Sequence, residues 1–73
     1  MKSEKEEIFD FLDINYDVKL IKNSIVYIDK ENDCEVVPAL VKLVIMSLFH
    51  AKRGIKNYYS KILYNWTESK LEE

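Results

Sequence analysis

Few residues in this chain could do covalent or metal chemistry, and their spacing gathers none of them into a motif. His50 is the sole histidine and Cys34 the sole cysteine, far apart and without the repeated ligand spacing of a metal site. A Cys34–His50 nucleophilic pair would need the fold to bring the two together. A histidine near the end of an apolar helix reads better as a hydrogen-bonded core or interface residue, and a buried cysteine is usually inert. The carboxylates cluster in residues 4–17 and 29–35, where helix capping, solvation and turn formation account for them. Acid–base chemistry on a sugar needs paired acids in a pocket deeper than a short chain usually builds. Gly54 is the sole glycine, which excludes Walker A and dinucleotide-binding loops, since each requires several. The chain reads as a non-enzyme with no cofactor, no metal and no small-molecule substrate.

Binding chemistry has more to work with. No acidic residue occurs in residues 36–67, whereas Lys42, Lys52, Arg53, Lys56 and Lys61 are all there. Tyr58, Tyr59, Tyr64 and Trp66 are interleaved with them, and lysine with aromatics can serve phosphates and bases respectively. Residues 4–17 reverse the balance, with Glu4, Glu6, Glu7, Asp10, Asp13 and Asp17 against Lys5. The asymmetry can mean an anionic partner, but it is better read as two halves that complement each other within or between subunits.

These groups must be positioned by a small number of elements. Ser3 and Glu6 write a capping box, and Ile8, Phe11 and Leu12 share a face of the short helix it opens, with Asp10 and Asp13 outward. That helix should end near residues 12–14. Residues 18–28 turn β-branched and aromatic, as one long strand or as a hairpin turning at Asn23-Ser24. Residues 29–33 are a polar turn, and a hairpin of residues 25–29 with 34–37 follows from it.

Residues 38–53 then read as a central helix, with Pro38 in its first turn and Gly54 as its cap. Its apolar positions cover most of the circumference, so it should be largely buried, against its own sheet on one side and something else on the other. A last amphipathic helix carries Ile55, Tyr58, Tyr59, Ile62, Leu63 and Trp66 on one arc and Tyr64 nearly opposite. Gly54 either separates the two helices or kinks one long one. The expectation is an α+β fold: a short N-terminal helix, a small antiparallel hairpin or three-stranded meander, then two C-terminal helices or one kinked helix.

The order strand, proline, helix, glycine turn, helix over residues 34–66 resembles the ribbon-helix-helix family. The resemblance implies a strand paired across a dimer and presented to the major groove of DNA. Here Cys34-Glu35-Val36-Val37, preceded by Asp33, would offer that groove acidic or apolar side chains.

Length and composition bound the rest. Seventy-three residues make one domain, residues 1–73, with ends at 1–2 and 70–73 expected to fray. A composition 48% hydrophobic and 33% charged, with net charge −2, excludes general disorder and carries more apolar material than one small core needs. A homodimer is the natural outlet. The apolar run is too short to span a membrane, no leader is apparent, and a lone cysteine suits a reducing cytoplasm.

The leading reading is therefore a cytoplasmic regulator or accessory protein, such as a virus or mobile element encodes, acting on itself and another protein. Met46, Leu48, Phe49, Tyr64 and Trp66 are its candidate interface residues. The alternative is a nucleic-acid-binding regulator using Lys42, Lys52, Arg53, Lys56 and Lys61.

Overall fold

The computed structural model describes residues 2–49 and 56–73. Along the chain run α1 (Glu4–Asn15), β1 (Tyr16–Ile21), β2 (Ser24–Asp29), β3 (Cys34–Val36), α2 (Pro38–Leu48) and α3 (Lys56–Leu71). This is the expected α+β fold, and of the two β arrangements it is the meander: an antiparallel sheet of order β1-β2-β3.

Local chemistry sets most boundaries. Ser3 caps α1, its Oγ accepting from Glu6 N–H at 3.2 Å, while Glu4, Glu6 and Glu7 fill the first turn, where the helix dipole favours acids. The helix runs slightly longer than expected, because Asn15 bonds its own side chain back to the Phe11 carbonyl at 2.9 Å. Tyr16 closes it with a backbone bond to Leu12 and begins β1 directly.

The first hairpin turns at Lys22-Asn23, one residue earlier than Asn23-Ser24. Ile21 pairs with Ser24, and both loop residues lie at positive φ, 50° and 65°. A two-residue loop between right-twisted strands demands this left-handed conformation at both central positions, which places Asn23 second in the loop and Ser24 in the ladder. In the second turn the Asp29 carboxylate accepts from Glu31 N–H at 2.9 Å and Asn32 Nδ2 at 3.0 Å. β3 then pairs Val36 with Tyr27 and Cys34 with Asp29, as the turn chemistry implied.

The core corrects the weight given to α2. Ile8 and Leu12 of α1, Tyr16 and Tyr27 of the sheet, and Val41 and Ile45 of α2 close around Tyr59, Ile62, Leu63 and Trp66 of α3. The hub is α3, which packs on α1, α2 and β1. Its aromatic side chains fill the centre, so α2 needs to bury only Val41 and Ile45 fully, and Leu40, Leu43 and Leu48 face outward. The helix also stops at Leu48, with Phe49 N–H bonded to the Ile45 carbonyl. The cap expected at Gly54 and the role expected of His50 lie outside the described residues.

Two acidic residues latch α1 to α3. Tyr59 Oη donates to Glu4 at 2.7 Å, and Trp66 Nε1 donates to Asp13 at 2.8 Å. The two helices therefore run parallel, N-terminus beside N-terminus. Asp13 was expected to face outward; it also receives Lys70 Nζ at 2.7 Å. Inside, Tyr27 stacks on Trp66 at 6.4 Å between ring centroids. Tyr27 and Thr67 hydroxyls meet at 2.7 Å, and Thr67 donates to the Leu63 carbonyl, which leaves the Tyr27 proton to complete the pair.

Candidate interaction surface

The most unusual surface of the molecule is the outer face of α2. Leu40, Leu43, Val44, Ser47 and Leu48 recur at i, i+3, i+4, i+7 and i+8, which is one stripe of a helix. Leu43 is 60% exposed, Leu48 51% and Leu40 46%, and Val37, the residue that enters the helix, is 63% exposed. A stripe of this pattern normally faces a core. Here the neighbouring stripe, Val41 and Ile45, already occupies the core, so the helix carries more apolar surface than the fold uses.

The five residues expected at an interface divide accordingly. Leu48 is exposed on this face. Met46 and Phe49 are half-buried and pack on the core from its flank. Tyr64 stands out from α3, 59% exposed. Trp66 is a correction: it is 1% exposed, stacked on Tyr27 and bonded to Asp13, so it offers no surface to a partner. Its apolar arc on α3 was legible, but an arc alone does not say which of its members are sealed inside. Tyr58, on the same arc, is largely exposed, its ring meeting Tyr59 edge-on at 5.1 Å. Leu40 and Leu43 were missed as candidates because the apolar circumference of α2 does not say which side meets the core, and Val37 because it reads as the end of a strand.

The basic candidates are brought together only in part. Lys42 lies in a groove of about 230 Å³ between α2 and α3, with Pro38, Ser60, Leu63 and Tyr64 along its walls. Lys61 is exposed on α3, within a turn of Tyr64. The side chains of Lys52, Arg53 and Lys56 lie outside the described residues. Glu68 adds an acid beside the free aromatic, and its hydrogen bond pushes the Tyr64 phenol above the ordinary tyrosine range. The strand that the ribbon-helix-helix resemblance would pair across a dimer is β3, here joined to β2 within the chain and carrying an exposed Glu35.

Among the described residues no cluster of His, Cys, Asp or Glu side chains could hold a metal ion, and Cys34 is exposed. Among them, too, no helix is long and apolar enough to cross a membrane. No family model, curated protein or solved structure matches the chain.

Proposed function

We propose that this is a small non-enzymatic regulatory or accessory protein of the cytoplasm, a homodimer that works through protein–protein contact at the outer face of α2. The observation that carries the reading is the exposed stripe Leu40–Leu43–Leu48 continued by Val37. The largest apolar patch on a monomeric protein commonly measures about 300–600 Å² and is often its functional surface. This one is electrically neutral. Lys42, the only charge on α2, faces the groove toward α3, so the stripe meets a second copy of itself without stranding an ion.

Sedimentation velocity on the native chain and on Leu43→Glu tests this. The native chain should sediment as a dimer and the variant as a monomer with the same helical circular dichroism, because Leu43 supports nothing inside the fold. A native chain that stays monomeric at millimolar concentration sinks the homodimer.

Nucleic-acid binding is the second reading, and it is favoured by one observation. Lys42 lines a groove with Tyr64 and Lys61 lies exposed within a turn of Tyr64 on α3, neither with an ion pair among the described residues. Titration of duplex DNA at low and at physiological salt tests it, since phosphate contacts make affinity fall steeply with salt.

A further inference from the structure

The first hairpin reaches past the core. Leu20 and Ile25 sit directly opposite each other in the β1–β2 ladder, two positions beyond the Val18–Tyr27 pair that marks the edge of the packed region. Alternation along a strand puts Leu20 and Ile25 on the same face as Tyr16 and Tyr27, the face that the helices cover. At the tip that cover has run out: Leu20 is 58% exposed and Ile25 40%. A core-facing pair without a core needs an explanation.

The overhang adjoins the stripe on α2. Register carries β3 toward the tip, since Val36 pairs with Tyr27, so the chain enters α2 beside Ile25. Ile25, Val26, Glu35, Val36, Val37 and Pro38 line one shallow depression of about 250 Å³ there. Leu20 pairs with Ile25, and Ile25 meets Val37 at that depression, where the chain enters α2 and its exposed Leu40, Leu43 and Leu48.

Area argues that the surface acts as a unit. The four residues of the α2 segment expose roughly 400 Å² by their fractional exposure, about half of the ~800 Å² per partner that a stable interface buries. Leu20 and Ile25 bring the total to roughly 600 Å² before their polar neighbours are counted, close to the standard size. Glu35 is the one charged residue that lines the depression, exposed at its rim. Lys19 and Ile21 project from the other face of β1, and Lys22 lies in the turn.

We infer that the hairpin overhang is part of the homodimer interface, with Leu20 and Ile25 of each copy packing on the partner's α2 stripe across a two-fold axis. The inference rests on the α2 reading above and extends it to a second element. A bilayer is the weaker occupant of the overhang, because the polar Lys22-Asn23 turn leads and the aliphatic pair sits behind it.

Neighbouring residues on opposite faces make the test. Leu20→Glu, Ile25→Glu and Ile21→Glu add the same charge to the same hairpin, all at exposed positions. Circular dichroism and urea unfolding establish that each variant is folded, and Ile25→Thr replaces any that is not. The expected result is a dimer dissociation constant raised at least about tenfold by Leu20→Glu and by Ile25→Glu, and changed less than about twofold by Ile21→Glu. A monomeric native chain overturns this inference together with the homodimer. A native dimer split by Leu43→Glu but untouched by Leu20→Glu and Ile25→Glu overturns the inference and leaves the α2 face standing. Equal weakening by Ile21→Glu also overturns it, because net charge and not the face would then be responsible.

Discussion

Trp66 donates its indole N–H to the Asp13 carboxylate at 2.8 Å, joining the last helix to the first. The same oxygen receives the Lys70 ammonium at 2.7 Å. Burial alone would raise the Asp13 pKa, but the Lys70 and Trp66 hydrogen bonds outweigh it and hold the carboxyl below the ordinary aspartate range. A lowered folded-state pKa contributes stability that is present above the unfolded value and lost as pH falls through the folded one. Stability should therefore decline on acidification below about pH 4, with Trp66 fluorescence reporting the step. Asp13→Asn should cost about 1 kcal/mol at neutral pH, at the low end for a charge-assisted bond because the side chain is half-exposed, and should flatten the acid limb. An unchanged acid limb in urea titrations would refute this assignment.

Tyr59 should govern the opposite end of the pH scale. Its bond to Glu4, aided by burial, pushes the phenol up to about 12 from the usual 10.0. A raised pKa contributes stability that is complete below the unfolded value and lost as pH rises through the folded one, so the loss falls between about pH 10 and 12. Tyr59→Phe removes that dependence and costs about 1 kcal/mol at neutral pH. Absorbance at the tyrosinate band should show one phenol fewer titrating late; the same count of late phenols in both proteins would contradict it.

The Lys22-Asn23 turn leaves room for improvement. Lys22 occupies a left-handed conformation that costs a side-chain-bearing residue about 1 kcal/mol, and Asn-Gly is the pair this turn prefers. Replacing Lys22 with Asn and Asn23 with Gly should raise the unfolding free energy by about 0.5–1 kcal/mol. A thermal midpoint that stays put or falls would mean that the turn is not of this type in solution.

Trp66 and Tyr64, both once candidates for a partner surface, should separate cleanly. Trp66→Phe opens a void beside Tyr27 and removes the indole bond to Asp13, which keeps Lys70, for a loss of about 2 kcal/mol. Tyr64→Ala should change stability by less than about 0.5 kcal/mol, as exposed substitutions do. Chemical denaturation of the pair decides it, and comparable losses would place Tyr64 inside the structure.

Much of this architecture was legible from patterns that local chemistry dictates. The Ser3 cap, the Asp29 turn, Pro38 at the start of α2 and the period of α3 each specify their surroundings within a few residues. What the sequence hid is a matter of allocation. Aliphatic residues on α2 outnumber the places a small core has for them, and hydrophobicity does not say whether Leu43 or Val41 is chosen. The choice falls to α3, whose Trp66 and Tyr59 take the centre and push half of α2 outward. The Asp13 site was invisible for a similar reason: an acid in an acidic stretch looks solvated until the distant Trp66 and Lys70 arrive beside it.

The parallel pairing of α1 with α3 bears on how the protein comes into being. Its two latches join residues 55 and 53 positions apart, nearly the length of the chain. α1 is too short to persist alone, and the helix that shelters Ile8 and Leu12 follows it in the chain only after both hairpins and α2. During translation the hairpins can pair early, but the helical layer cannot close until α3 has cleared the ribosome. Folding should then be a late, concerted event, because the α1–α3 latches close only across more than fifty residues of intervening chain. Until then the nascent chain exposes the aliphatic residues of both α1 and α2, and holdase chaperones are the natural custodians of that interval.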